Sequence, residues 1–409
     1  MSEERQVHAR DFLVRVAPEG ALESAAGANE WLLSSSIPRS WQVHAEAAAT
    51  KVVEGRPLNE AELFALEAII IPDKRPAVLI QGGDYVIDNA SWEHIGSDTV
   101  RSVLKPAIEA ICRVEVPGHP SLPYAGTGFL VGDNLLMTNR HVAEIFSSGL
   151  GRKNISLVRD MQTKVDFIKE AGSDEQRVFT VSEVLMVHPY WDMALLRIDG
   201  LPTDHPRLRL SLRAPEEMFD RDIVVIGYPA NDPRSPPDIL NQVFGGVFQV
   251  KRLQPGKIGG TGKATQLARY NYQSYGKHVP AVLHNASTLG GNSGSAILDT
   301  ATGEVVGLHF AGEYLQFNCG VPARDLAGDA RVVDAGVTFA GTPQPQRGPY
   351  DRYWQNTEQT EVLDTREDVD RQGDANKANH ARLVPRAPDP CGGIVRLDIP
   401  LEVRVRLGG

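Results

Sequence analysis

The chain of 409 residues contains only three cysteines, Cys112, Cys319 and Cys391. An odd number of widely spaced cysteines without a Cys-x-x-Cys pair is not the pattern of a disulfide framework, a zinc site or a dithiol redox site. The first residues carry acidic and basic side chains and lead into no apolar run of the length that a secretory leader or a membrane span needs. These features predict reduced thiols, a cytoplasmic location and no membrane partner.

A net positive charge is also lacking. The chain has 42 Lys and Arg against 52 Asp and Glu, which gives a formal net charge of -10. Because this charge repels a phosphate backbone, we expect no nucleic-acid partner. Apolar residues make up 42% of the chain, enough for a sizeable core, and the length predicts two or three domains.

Residues 1–105 mix helical spacing with short extended runs and contain no cluster of catalytic side chains. Two short apolar runs flank Gly82-Gly83 and predict a small β-hairpin. We interpret this α/β region as an accessory domain with a candidate regulatory role. The predicted elements are helices over 41–53, 59–71 and 97–110 and hairpin strands over 77–80 and 84–87.

From residue 106 to residue 341 the pattern changes to short apolar runs separated by Gly, Pro and Asn. This pattern is typical of an all-β barrel or sandwich, and the segment is long enough for two small barrels. The predicted strands include 128–131, 135–138, 178–186, 194–198, 223–227, 243–252, 295–298 and 304–310.

Two further segments follow the predicted barrels. Residues 342–390 are rich in Pro, Gln, Asp, Arg and Asn and poor in aliphatic side chains, which predicts a linker or a disordered segment. Residues 391–409 end in a run where apolar residues alternate with others, which predicts a terminal β-strand. A lone strand must pair with a sheet edge of this chain or of a partner.

Three segments carry the chemistry: Thr138–Ala143, Asp192–Leu196 and Gly290–Ser295. A serine hydroxyl is a poor nucleophile at neutral pH, so acyl transfer needs an imidazole that takes its proton and a carboxylate that orients the imidazole. The candidates are Ser293 as nucleophile, His141 as general base and then acid, and Asp192 as the orienting carboxylate. Asp199 is the alternative carboxylate, but it follows the strand and precedes a glycine, which favours a turn.

The glycines around Ser293 let the backbone bend so that the N–H groups of Gly291 and Ser293 converge as an oxyanion hole. The sequence Gly-Asn-Ser-Gly-Ser lacks the second glycine of the Gly-x-Ser-x-Gly elbow. The order His, Asp, Ser is also not that of the α/β-hydrolases. A lipase or esterase of that fold is therefore disfavoured.

Residues of about 110 to 340 resemble the chymotrypsin-like (trypsin-like) serine peptidases, most of all the bacterial branch that includes the glutamyl endopeptidases. The motifs that carry the resemblance are Gly126-Thr127-Gly128-Phe129, Thr138–Ala143, His188-Pro189 before Asp192, and Thr288–Ser295. The resemblance implies a mainly β fold of two six-stranded β-barrels with the catalytic residues spread over both. It also implies a protein or peptide substrate and a reaction without metal or cofactor.

The resemblance also suggests where substrate side chains bind. The pocket floor corresponds to Ser287, so the carboxylate that selects Arg or Lys is missing and cleavage after those residues is not expected. His309, followed by Phe310 and Gly312, resembles the histidine by which glutamyl endopeptidases hold an acidic side chain. A structural histidine is the alternative, and Glu313 would oppose an acidic ligand.

Other histidines have no spacing that assembles a metal site, and we interpret His188, His278 and His284 as core or surface residues. Digestive members of the family have an acid before the nucleophile that pairs with a newly cut N-terminus, whereas this chain has Asn292. We therefore expect regulation by the accessory domain, the tail or a protein partner. The sequence predicts a regulated intracellular bacterial serine endopeptidase; the alternative is a catalytically silent peptide-binding or adaptor module.

Overall fold

The computed structural model divides into a first unit, residues 1–360, and a second unit, residues 361–409. The second unit, the predicted terminal strand included, lies outside the described residues, as do the predicted helix 59–71 and the predicted helix 41–53 apart from helical Thr50 and Lys51. The structure describes residues 50–51, 54, 56, 75–231, 237–260, 267–313, 317–346, 348, 350–355 and 357.

Short antiparallel strands dominate the described residues, as the sequence predicted. The strands are β1 Val78–Gln81, β2 Asp84–Tyr85, β3 Ile111–Glu115, β4 Gly126–Gly132, β5 Leu135–Thr138, β6 Ser147–Ser148, β7 Ser156–Leu157, β8 Lys164–Asp166, β9 Val178–Val187, β10 Ala194–Asp199, β11 Asp222–Gly227, β12 Arg252–Lys257, β13 Arg269–Ser274, β14 Lys277–His284, β15 Ala296–Asp299, β16 Val305–Glu313 and β17 Phe317–Pro322. The helices are α1 Asp98–Ala110, α2 Arg140–Ala143, α3 Pro237–Phe244, α4 Ala323–Leu326 and α5 Ala330–Asp334.

Six strands close the first barrel in the order β10-β5-β4-β3-β8-β9. All neighbouring strands are antiparallel, and their inward side chains, among them Phe129, Leu136 and Met186, are fully buried. Burial of such apolar side chains stabilises the barrel by about 1.5–3 kcal/mol for each one removed from water.

The second barrel contains the strands β14-β17-β16-β15-β11-β12 in that order. An antiparallel bridge between Ile258, just after β12, and His284, at the end of β14, brings the first and last strands together. Strand β13 extends this sheet by forming a hairpin with β14. The predicted fold of two six-stranded barrels is confirmed.

Residues 75–110 pack directly against the barrels. Strand β1 pairs with β12 of the second barrel, and the predicted hairpin forms through Gly82 and Gly83, whose φ angles of 62° and 73° suit glycine. Helix α1 continues into β3 without a loop, and its Leu104 and Ile108 join the same apolar core as the first barrel. The predicted boundary between residues 105 and 106 falls inside α1.

The predicted strand over 243–252 is wrong. Val243 and Phe244 end helix α3 and are buried beside Ala77, and a turn follows through Gly245 and Gly246 at φ angles of 58° and 69°. The strand begins only at Arg252. The residues before the glycine pair end a helix, and a turn follows them. A count of apolar residues does not distinguish these two structures from a strand.

Residues 350–355 lie inside the segment 342–390 that was predicted to be a linker or disordered, and they differ from that prediction. Residues 351–355 are helical, and Trp354 is only 2% exposed. Its indole Nε1 donates to Oδ2 of Asp329 at 2.7 Å, and its ring packs against His188. Burial of the aromatic side chain of Trp354 offsets the conformational entropy that is lost when this part of a polar segment becomes ordered.

Candidate active site

His141 lies on the short helix α2, directly after the buried strand β5. Its ring Nδ1 is 2.7 Å from Oδ2 of Asp192, and its backbone N–H donates to Oδ1 of the same carboxylate at 3.0 Å. Two hydrogen bonds to one carboxylate fix both the position and the rotation of the imidazole. This arrangement leaves Nε2 as the nitrogen that can exchange a proton with a substrate or nucleophile.

Asp192 lies in the loop between β9 and β10 and is only 5% exposed. Asn139, which the sequence analysis did not single out, donates from Nδ2 to the backbone carbonyl of Asp192 at 2.9 Å and so ties this loop to α2. The alternative carboxylate, Asp199, is exposed at the end of β10 and accepts from the Ser182 hydroxyl. Among the described residues, His141 forms its hydrogen bonds with Asp192 and none with Asp199.

Ser293 lies in the loop between β14 and β15 of the second barrel, next to the element that carries His141. Its carbonyl accepts from the N–H of Thr127 at 2.9 Å. A Cβ at Gly126 would come within 2.8 Å of the Ser293 carbonyl oxygen and 2.9 Å of Cγ2 of Val142. Only a glycine at this point of β4 allows the Ser293 loop and α2 to approach the strand together.

No hydrogen bond joins the Ser293 hydroxyl to His141 among the described residues. Such bonds are often long in enzymes without substrate and shorten when the substrate binds. The structure therefore brings His141 and Asp192 into direct contact, and it connects the Ser293 loop to the helix of His141 through β4 at Gly126 and Thr127.

The loop before Ser293 offers two backbone donors. Gly291 and Gly294 have φ angles of 85° and 90°, which a side chain rarely adopts. The Thr127 hydroxyl donates to the carbonyl of Gly291 at 2.8 Å and so fixes the peptide group between Gly291 and Asn292, which lies between the two donors. In the described part of the chain, the N–H groups of Gly291 and Ser293 have no acceptor. Both are therefore free to bind an oxyanion.

Asp192 controls the charge of His141. Burial disfavours the protonated imidazole, but the hydrogen bond to Asp192 and the negative charges of Asp192 and Glu144 outweigh it, so the pKa of His141 is raised above its usual value. A raised pKa strengthens the imidazole as a proton acceptor once it is neutral.

Comparison with known proteins gives a family match for the part of the chain that holds these residues. Residues 126–308 match the family model of the trypsin-like peptidase domain. Residues 126–308 are thus similar to trypsin-like peptidase domains. The glutamyl endopeptidase of Staphylococcus epidermidis is 24% identical over 225 residues, which cover 53% of this chain and 64% of that protein. The chain thus matches less than two thirds of the length of this relative.

Solved structures with similarity to the chain include the Rv3671c protease of Mycobacterium tuberculosis. Its active form has 21% sequence identity and a TM-score of 0.36, and the match covers 62% of this chain and 88% of that one. An inactive mutant form has 20% identity and a TM-score of 0.37, with 57% and 90% of the two chains covered.

The predicted pocket residues lie on β16 of the second barrel and in the loop that follows β14. His309 on β16 is 4% exposed, and its Nδ1 lies 3.1 Å from Nε2 of His284 on β14. Burial, with a smaller effect of the nearby His141, lowers the pKa of His309 to about 3, so this ring is neutral near pH 7. The prediction of a core or surface histidine at 284 missed this pairing, because the residues are 25 positions apart and meet only across the sheet.

The other predicted pocket residues each have contacts of their own. The Ser287 hydroxyl donates to the carbonyl of Arg75 at 2.7 Å. Phe310 packs edge-on against Tyr272, with 5.5 Å between the ring centroids. Gly312 pairs with Asn318 of β17, whose side chain accepts from Thr288 and so connects the strand to the loop before Ser293.

His188 and Asn292 are buried and have hydrogen-bond partners within the protein. Nε2 of the buried His188 lies 3.2 Å from Oδ2 of Asp329, and the described residues contain no cluster of His, Cys, Asp and Glu that could hold a metal ion. Oδ1 of the buried Asn292 accepts from Nε2 of Gln254 at 3.3 Å. The residue before Ser293 is therefore held by a neutral amide.

No helix in the described ranges is long and apolar enough to cross a membrane.

Proposed function

We propose that this chain is a serine endopeptidase that hydrolyses peptide bonds through an acyl-enzyme. The observation that carries the proposal is the hydrogen-bonded pair of His141 and the buried Asp192 beside the Ser293 loop. The match of residues 126–308 to the trypsin-like peptidase domain supports it.

In the proposed reaction the Ser293 hydroxyl attacks the carbonyl carbon while Nε2 of His141 takes its proton. Asp192 accepts the hydrogen bond from Nδ1 and stabilises the imidazolium. The N–H groups of Gly291 and Ser293 bind the oxyanion of the tetrahedral intermediate. His141 then gives the proton to the leaving amine. A water molecule, deprotonated by His141, attacks the acyl-enzyme and regenerates the serine hydroxyl.

We assign Ser287, His309, Phe310 and Gly312 to the pocket for the side chain on the acyl side of the cleaved bond. Because Ser287 carries no charge, cleavage after Arg or Lys is not expected. The name of the staphylococcal relative, glutamyl endopeptidase, together with the position of His309, favours an acidic side chain as the ligand.

Cleavage of a protein substrate by the full chain tests this proposal. Ser293→Ala should lower the rate by about 1,000-fold or more, since the remaining residues only bind and polarise the substrate. Ser182→Ala, which changes an exposed serine on β9, should retain wild-type activity and serves as the matched control. A folded chain that binds peptides but cleaves none, with or without Ser293, would support the adaptor alternative.

We also propose that the activity is regulated and that the protein works in a bacterial cytoplasm. The neutral partner of Asn292 and the buried thiol of Cys112, which forms no disulfide, support these two points. Because a cut at residue 106 would remove β1 and much of α1, the fair comparison is between the full chain and residues 75–357. Equal specific activity of the two would argue against regulation by the removed segments, and cell fractionation tests the location.

A further inference from the structure

The segment just before β1 is fixed along the loop that leads to Ser293. The Ser287 hydroxyl donates to the carbonyl of Arg75 at 2.7 Å, and the guanidinium of Arg252 donates to the carbonyl of Ala77. Leu289, two residues after Ser287, packs against the small apolar cluster that contains Ala77. Arg75 is therefore held next to the wall of the proposed substrate pocket.

Among the described residues, the side chain of Arg75 is a cation without a counter-ion. It is partly buried, and the described residues provide it with neither an ion pair nor a side-chain hydrogen bond. Burial lowers its pKa to about 10, so the guanidinium remains charged at neutral pH. A partly desolvated charge without a partner is unfavourable, and an anionic ligand would relieve this cost.

The positive charge of Arg75 acts on the histidine pair of the pocket. It adds to burial and to the nearby His309 in keeping the pKa of His284 far below its usual value. His309 in turn is close enough to His141 for the two rings to interact electrostatically. Electrostatic interactions therefore connect Arg75 to His284, and His309 to His141. His284 and His309 are joined by their hydrogen bond.

The hydrogen bonds of the pair assign its tautomers. Nδ1 of His284 is buried and has no partner in the described part of the chain. A bare nitrogen there, near a positive charge, is less costly than an orphaned N–H. His284 then donates from Nε2 to Nδ1 of His309, and His309 carries its own hydrogen on Nε2. The pocket thus offers an N–H donor close to a cation, which suits a carboxylate and opposes an ammonium group.

We propose that Arg75 supplies the positive charge of this pocket and, together with His309, binds the carboxylate of a glutamate or aspartate side chain on the acyl side of the cleaved bond. This inference rests on the proposed peptidase function. It assigns a specificity role to a residue that precedes the matched domain, residues 126–308.

The test compares full-chain wild type with Arg75→Gln, which removes the charge, and Arg75→Lys, which keeps it. Fluorogenic peptides that differ only in Glu or Gln at the variable position report the ratio of kcat/KM. We expect wild type to prefer Glu, and Arg75→Gln to lose about 10- to 100-fold on the Glu peptide with little change on Gln. Arg75→Lys should keep most of the preference.

Arg197→Gln is the matched control, because it removes one positive charge from an exposed side chain on β10 of the other barrel. It should leave the ratio unchanged. An unchanged ratio in Arg75→Gln, or a wild type that does not prefer Glu to Gln, overturns the inference. Thermal unfolding of each variant shows whether a loss of activity comes from misfolding. If Arg75→Gln does not fold, Arg75→Lys decides. A folded Lys variant without the Glu preference would also overturn the inference.

A binding measurement separates this inference from the proposed function. Calorimetry on the full chain with Ser293→Ala, using the same peptide pair, requires no catalysis. Tighter binding of the Glu peptide that disappears in the double variant with Arg75→Gln supports the pocket, even if wild type cleaves no peptide. Equal binding of the two peptides contradicts the role of Arg75, even if Ser293 proves to be the nucleophile.

Discussion

At the scale of single residues, the two oxygens of Asp192 carry out separate tasks. Oδ2 accepts from the ring of His141, and Oδ1 accepts from its backbone N–H. The first bond selects the tautomer with hydrogen on Nδ1, and the second holds α2 against the loop after β9. Asn139 completes this arrangement from the other side by its bond to the carbonyl of residue 192.

Asp192→Asn tests the tautomer. The amide keeps the shape of the carboxyl group, but its NH2 would donate to Nδ1 and leave the hydrogen on Nε2, where it blocks proton transfer from Ser293. We expect kcat/KM to fall about 10,000-fold, as in other triads of this type. Asp199→Asn, at the exposed alternative, should change peptide hydrolysis little, and an equal loss in both variants would contradict the assignment.

The raised pKa of His141 predicts the pH dependence. The imidazole acts as a base only when neutral, so kcat/KM should fall as the pH drops through a midpoint above 6.5, the ordinary value for histidine. Because Asp192 stabilises the protonated ring, Asp192→Asn should move the midpoint down. A pH–rate profile of the residual activity measures both, and a wild-type midpoint below 6.5 would be inconsistent with this electrostatic account.

At the scale of elements, the β13–β14 hairpin of the second barrel reaches the catalytic loops of the first. The guanidinium of Arg140 lies 3.8 Å from the ring centroid of Tyr275, whose hydroxyl donates to Oε2 of Glu144 at 2.9 Å. Nζ of Lys277 donates to the carbonyl of Pro189 at 2.7 Å. The hairpin thus contacts both the helix of His141 and the loop that leads to Asp192.

Tyr275→Ala tests this contact. Loss of the ring and its hydroxyl should let α2 move relative to the Ser293 loop, so we expect kcat to fall about tenfold with a smaller effect on KM. Tyr275→Phe keeps the ring and should fall between wild type and the alanine variant. Tyr270→Ala, on the same hairpin but packed on Phe317, is the control. Unchanged kcat in Tyr275→Ala would show that the hairpin does not position the helix.

The success of sequence reasoning also differed among elements. The hairpin at Gly82-Gly83 and the strand Leu135–Thr138 were predictable because their signals are local. The run from Val243 to Arg252 was not, since its glycine pair follows a helix whose apolar side is buried against residues distant in sequence, Ala77 and Leu289. The pairing of His284 with His309 has the same origin: it depends on how β14, β17 and β16 are ordered in the sheet.

At the scale of the whole molecule, residues 75–110 and the two barrels share apolar contacts. Ile80, Ile95 and Leu104 are fully buried in the same core as the strands of the first barrel. The sequence suggested a separate unit because these residues have helical spacing and lack catalytic side chains. The spacing of apolar residues in the sequence identifies which face of such a segment is buried, but not which part of the protein that face packs against.

Leu104→Ala tests whether this packing stabilises the fold. A fully buried leucine replaced by alanine leaves a cavity, and we expect the free energy of unfolding of the full chain to fall by about 2–5 kcal/mol. Val86→Ala, at a side chain that is 78% exposed, should change it by less than about 0.5 kcal/mol. Denaturant unfolding followed by near-ultraviolet circular dichroism measures both. A separate early transition that leaves the barrels folded would contradict a shared core.

The most direct measurement of the central claim is mass spectrometry of the full chain after reaction with a fluorophosphonate. The account predicts one covalent adduct, mapped to Ser293, that is lost in Ser293→Ala and strongly slowed in Asp192→Asn. An adduct on another serine, or peptide hydrolysis that persists when Ser293 is replaced, would contradict it.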